Sequence, residues 1–167
     1  MTTLTWLHLS DWHQENEKFK FDRKVVCDGL IKDIKAREQE ISLRLKKIDF
    51  IVFSGDVAKG GDPDEYKKAI DEFFKPILDA CELGPERLFI VPGNHDPVIS
   101  DGAFTLQNIK YMTSVQLVEF SRDACFLFQP YEPHASMGEA LAACPFQLEA
   151  GAWVLIAHGD NLASARL

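Results

Sequence analysis

The chain is expected to be an α/β protein built on a parallel sheet. Two observations predict this: three short apolar β-rich runs are separated by two segments with helical spacing of apolar residues, and each run stops at a small or acidic residue. Length and composition agree. The 167 residues, 46% apolar and 11% aromatic, suit one globular domain, taken as 1–167. Strand, helix, strand, helix, strand implies right-handed crossovers, so all three strands would end on one edge of the sheet.

The first run, Thr5 to Leu9, ends at Ser10-Asp11 and reads as a buried strand. Asp22 is in place to cap the helix that follows. From Val25 to Leu45 the residues Val25, Val26, Leu30, Ile31, Ile34, Ile41 and Leu45 recur near helical spacing, and Lys32, Asp33, Lys35, Arg37 and Glu38 form a solvated face. Ile48 to Phe53 is the second strand and stops at Ser54-Gly55-Asp56. Asp62-Pro63-Asp64-Glu65 then starts a helix, with Pro63 at its first position and Glu65 closing a capping box. Tyr66, Ala69, Ile70, Phe73, Phe74, Ile77 and Leu78 carry that helix inward, with a kink expected at Pro76. Leu88 to Val91 is the third strand, ending at Pro92-Gly93-Asn94. Beyond it Val115 to Phe128 reads as helical, Gln129 to Pro145 as loop, and Ala152 to Ala157 as a further strand.

The charge, 18 − 26 = −8, provides no footprint for gripping duplex nucleic acid or an anionic membrane. Four cysteines without a C-x-x-C pair, together with the lack of a signal-type or 18-residue apolar run, predict a reduced, soluble, cytoplasmic protein. Any phosphate chemistry must therefore rest on local positive charge.

Each strand end carries metal-ligand residue types: Asp11-Trp12-His13, Gly55-Asp56, and Gly93-Asn94-His95-Asp96. One such group alone is more often a turn or a cap than a ligand set. Three at successive ends of a parallel sheet point to a metal site, where open α/β folds keep their chemistry. If the chain stays extended, Asp11 and His13 point the same way. The glycines beside Asp56 and Asn94 allow close backbone approach. Mixed Asp, His and Asn donors suit Mn, Fe, Ni or Zn better than calcium. His8, of opposite strand parity, reads as a packing histidine, and His134 as surface. Phe73, Phe74, Phe126 and Phe128 read as core.

The ordered set Ser10-Asp11-Trp12-His13, Gly55-Asp56-Val57-Ala58-Lys59-Gly60-Gly61 and Gly93-Asn94-His95-Asp96 resembles the calcineurin-like metallophosphoesterase superfamily. That resemblance implies a metallophosphoesterase-type β-sandwich flanked by helices and a dinuclear metal centre, with two divalent ions and an activated bridging water that cleaves a phosphoester. By position, Asp11 and His13 bind the first ion, Asp56 bridges both, Asn94 binds the second, and His95 stabilises or protonates the leaving oxygen; from its place next in the chain, Asp96 is read as orienting His95. Lys59 and Gly60 stand where the phosphoprotein phosphatase branch carries Asp and Arg, which disfavours that branch. The opening residues look like those of DNA-repair exonucleases and of modules fused at the amino terminus of larger bacterial proteins, and Asp62 to Phe74 looks closer to the cyclic-nucleotide phosphodiesterase-like and fused-module group.

The pattern's later Gly-His-x-His segment is absent. His158 is either the lone later histidine of the pattern, a ligand, or part of the central strand before the missing segment, where none is needed. The chain is thus expected to be the amino-terminal portion of a domain, incomplete at its carboxyl end, with further domains in the whole protein. The function expected is metal-dependent phosphoester hydrolysis, most concretely of a phosphodiester. The alternatives are a truncated or degenerate metal-binding module without catalysis, or part of a DNA exonuclease that meets nucleic acid through a missing carboxyl-terminal region. A phosphoester substrate is the expected partner, and a membrane is not.

Overall fold

The computed structural model describes residues 4–15, 20–96, 109–112, 114, 116–121, 124–130 and 152–158. Four parallel strands, β1 (Trp6–Leu9), β2 (Phe50–Ser54), β3 (Leu88–Val91) and β4 (Lys110–Tyr111), lie side by side in chain order. Every residue of β2 is buried, as expected of a central parallel strand covered on both faces. A second sheet holds β5 (Gln116–Ser121), β6 (Ala124–Gln129) and β7 (Ala152–Ala157), with β5 antiparallel and β7 parallel to β6. The result is a mixed α/β architecture with three layers: helices, parallel sheet, second sheet.

Strand parity divides the core. Ile51, Phe53, Leu88 and Ile90 face the helices, while Phe50, Val52, Phe89 and Val91 face the second sheet and meet Phe126, Phe128 and Ile156. Phe50 stacks on Phe120 at 3.9 Å and takes the edge of Phe126 at 5.1 Å. These rings explain why the expected helix over Val115 to Phe128 is instead the hairpin partners β5 and β6. Val118 and Phe120, and Phe126 and Phe128, alternate with period two onto the inter-sheet core, so aromatic packing on a pleated face outweighs a loose helical periodicity. Ala152 to Ala157 is a strand as expected. Most of the expected loop from Gln129 to Pro145, together with His134 and Cys144, lies outside the described residues.

Helix α1 (Lys20–Glu40) buries Cys27 and Ile34 and half-buries Leu30 and Ile31, an i, i+3, i+4, i+7 stripe that joins the helix-side core with Ile77 and Leu78. Val25, Val26 and Ile41 fall off that stripe and are exposed, contrary to the sequence reading. Asp22 lies within the first turn rather than at the cap, where its charge still complements the helix dipole. Arg37, expected as solvated, is half-buried: its guanidinium group donates to the carbonyls of Ile34, Leu45 and Lys46 and ties the helix end to the following loop.

The second helical segment runs through α2 (Pro63–Ala69), a wider π turn (Ile70–Phe74) and α3 (Lys75–Cys81). Asp62 caps it through the Asp64 amide, and Glu65 completes the capping box. Removing that cap in Asp62→Ala should cost about 1 kcal/mol, within a usual range of roughly 0.5–2, read as a lower urea midpoint with an unchanged slope. At Pro76 the missing N–H is accommodated by the π turn. The carbonyl of Glu72, four residues earlier, instead accepts the Cys27 thiol at 3.7 Å.

Candidate metal centre

The loops after β1, β2 and β3 meet at the carboxyl edge of the parallel sheet, and β7 brings a fourth strand end to the same place. The first two loops are zipped together by main-chain bonds. Asp11 N–H donates to the Gly55 carbonyl (3.0 Å), His13 N–H to that of Asp56 (2.9 Å), and Gln14 N–H to that of Val57 (2.8 Å). Asp11, His13 and Asp56 all hold left-handed φ, 58°, 48° and 61°. The chain past β1 is therefore not extended, as the sequence reading assumed. Asp and His are among the side chains that tolerate this region best, and strain of this kind gathers at functional sites.

Between the two donors Trp12 turns toward the helices. Its ring stacks on Phe73 at 3.9 Å and its Nε1 donates to Gln14 Oε1 at 2.7 Å. Anchored this way, the loop leaves Asp11 and His13 on the cavity side. His13 Nε2 lies 3.7 Å from Asp11 Oδ1 and 3.5 Å from Asp56 Oδ2.

Asp56 is the buried centre, its side chain only 5% exposed. One of its oxygens, Oδ1, accepts the His95 amide at 3.0 Å, while Oδ2 lies 3.3 Å from His158 Nε2. Gly93 makes room for it: a Cβ there would stand 2.2 Å from Asp56 Oδ1. Gly93→Ala should therefore push the carboxylate out of place, and manganese titration should show weaker binding than in the parent chain. Gly55, at φ 86°, does the same for His158, whose ring would lie 2.1 Å from an added Cβ.

The His158 ring is held in one tautomer. A carbonyl only accepts, so Nδ1–H donates to the Ser54 carbonyl at 2.7 Å. In the neutral ring the bare Nε2 then faces Asn94 Oδ1 at 3.1 Å and Asp56 Oδ2 at 3.3 Å. Three lone-pair donors turned on one point suit a cation, and a metal-binding imidazole is commonly oriented through its other nitrogen in this way. His95 is held similarly, Nδ1–H donating to the Lys59 carbonyl at 2.9 Å, which leaves Nε2 for proton transfer or ligation.

Two groups of possible ligands share Asp56: His13 with Asp56 and His95, and Asp11 with Asp56 and His158. In each group the donor atoms lie within 4.8 Å of one another. A cavity of about 410 Å³ is lined by Asp11, His13, Asp56, Asn94, His95 and His158. Six of the seven site residues singled out in the sequence thus come together.

Asp96 does not join them. It is buried away from the cavity, its oxygens accepting the amides of Val57, Ala58 and Gly93 and the Tyr66 hydroxyl, so the Lys59 carbonyl rather than Asp96 orients the His95 ring. His8, read as a packing histidine, instead lines the cavity with Ser10 and Ser54, its Nε2 2.8 Å from Ser54 Oγ. Partial desolvation at the cavity wall lowers its pKa from the usual imidazole value, which favours the neutral ring. Parity could have placed His8: it shares a face of β1 with Trp6, which meets Phe50 and Phe126 of the inter-sheet core, and at the strand's carboxyl end that face opens on the site.

A family model described as calcineurin-like phosphoesterase matches residues 4–165. A Bacillus subtilis (strain 168) protein described as the uncharacterized metallophosphoesterase-like protein YydB is 31% identical over 91 residues, covering 54% of this chain and 17% of that relative. The match thus spans less than a fifth of the relative's length. Among the described residues no helix is long and apolar enough to cross a membrane.

Proposed function

The chain belongs to the calcineurin-like phosphoesterase family of metal-dependent hydrolases, and on that premise we propose that it hydrolyses a phosphodiester with two divalent ions, Mn, Fe, Ni or Zn. The observation that carries this reading is one buried carboxylate, Asp56, whose Oδ2 lies 3.5 Å from His13 Nε2 on one side and 3.3 Å from His158 Nε2 on the other. Asp11, His13 and Asp56 would hold one ion, and Asp56, Asn94 and His158 the other. Three protein donors apiece leave positions open to water and to phosphate oxygens, as catalytic sites require.

When bound, such a pair supplies Lewis-acid charge to the phosphoryl oxygens and makes water acidic enough to attack phosphorus near neutral pH. Asp56, placed between the two ligand sets, would offset the mutual repulsion of the two cations. His95 delivers the proton to the leaving oxygen through Nε2, its ring fixed by the Lys59 carbonyl. The remaining wall, neutral His8 with Ser10 and Ser54, offers uncharged hydrogen-bonding groups to a singly charged diester. Cys27 and Cys81 are buried free thiols, Cys81 pushed up to about 11 by burial, which suits the reducing cytoplasm as the working compartment.

The test is a manganese-dependent comparison of bis-p-nitrophenyl phosphate with p-nitrophenyl phosphate. Faster cleavage of the diester is expected. Preference for the monoester, or no hydrolysis of either by manganese-loaded protein, would overturn the reading.

A further inference from the structure

Two of the motif loops, those after β2 and β3, and helix α2 converge on a single acidic side chain that none of the proposed steps uses. Asp96 is 5% exposed and receives four donors. Its Oδ2 accepts Val57 N–H (3.2 Å) and Gly93 N–H (3.0 Å), and its Oδ1 accepts Ala58 N–H (3.1 Å) and the Tyr66 hydroxyl (2.9 Å). Val57 and Ala58 directly follow Asp56, and Gly93 is the residue whose missing Cβ admits the Asp56 carboxylate.

The same strip carries the first loop. Ala58 forms a parallel bridge with Gln14, Gln14 N–H donates to the Val57 carbonyl, and Lys59 N–H returns to the Gln14 carbonyl at 3.1 Å. His13 is the next residue back along that ladder. We infer that Asp96 is a positioning residue for the metal centre: by fastening the loops after β2 and β3 to one carboxylate, it fixes where Asp56 stands and, through Gln14, where His13 stands.

Charge and burial favour this arrangement over a chance contact. Hydrogen bonds to an ionised acceptor are about twice as strong as neutral ones, and three amides left without Asp96 would have no other acceptor among the described residues. Asp56 keeps its left-handed φ of 61° only while its neighbours are held, and the clamp grips the two residues after it. Tyr66 reaches the clamp from α2, so the capped helix start at Asp62 is tied to the same point. Burial and the adjacent Asp96 charge both raise the Tyr66 pKa, keeping the hydroxyl a donor.

The inference rests on Asp56 being a metal ligand, and the experiment separates the two. Manganese affinity is measured by calorimetry on the parent chain, Asp96→Asn, Tyr66→Phe, and a core variant, Leu78→Ala, that lowers stability away from the loops. All are held well below their melting points, with folding checked by circular dichroism. Asparagine retains one acceptor oxygen but turns an NH2 group toward amide donors. Asp96→Asn should weaken manganese binding about 10- to 100-fold, the range seen when groups behind metal ligands are removed, whereas Leu78→Ala should bind as the parent does. Parent-like affinity in folded Asp96→Asn would overturn the inference and leave the metal reading standing. A parent chain that binds no manganese would overturn the metal reading itself. If Asp96→Asn does not fold, Tyr66→Phe decides: a smaller but measurable loss supports the clamp, and unchanged affinity refutes it.

Discussion

Asp56→Asn should nearly abolish metal binding, by more than about 100-fold, the upper end of what removing a supporting group behind a ligand costs. Asparagine preserves the shape of the side chain and removes its charge. That charge is 5% exposed, lies within reach of both ligand groups, and is the one negative group common to both. At a carboxylate this buried, neutralising it would leave the two proposed cations without the anion between them. Asn94→Ala should cost less, because Asn94 offers one neutral oxygen, 3.1 Å from His158 Nε2, to one ion. Calorimetric titration with manganese checks both variants. Equal losses would remove the shared role from Asp56.

His95→Ala should lower turnover of a phosphodiester by about 10²–10⁴-fold, the usual contribution of a positioned acid, while bound manganese stays at the parent level. The backbone amide of His95, which holds Asp56 Oδ1 at 3.0 Å, survives the substitution, so the ligand itself should not move. The outcome is informative because His95 also stands close enough to His13 and Asp56 to act as a ligand. Metal content measured beside turnover distinguishes the roles: loss of bound manganese would make His95 a ligand rather than the acid.

The loops that carry the candidate ligands were legible because each motif directly follows a short apolar run. Strands β2 and β3 are buried as read, whereas β1, also read as buried, is only half-buried, with Trp6 and His8 exposed. Parallel pairing of β1, β2 and β3 then brings their ends together whatever the loops do in detail. Conformation within the loops was not legible. Left-handed φ at Asp11 and His13 comes from the ladder with Gly55, Asp56 and Val57, a long-range pairing that no local pattern displays. Asp96 was misread for the same reason: adjacency to His95 suggested a partner, but three of its four donors, Val57, Ala58 and the Tyr66 hydroxyl, come from 30 to 39 positions away. The second sheet was half legible. Ala152 to Ala157 is an uninterrupted apolar run, whereas β5 and β6 follow each other so closely that their alternation merges into an apparent helical period. His158 could be weighed either way from sequence. Ser54 and Gly55 decide its placement, through a carbonyl for Nδ1 and a surface without a Cβ for the ring.

The most direct test of the central claim is a crystal soaked in manganese and measured at the manganese absorption edge. Two anomalous peaks should appear, both in contact with the Asp56 carboxylate, one also touching Asp11 and His13 and the other Asn94 and His158. A single peak, or peaks that do not share Asp56, would contradict a paired centre built around that residue.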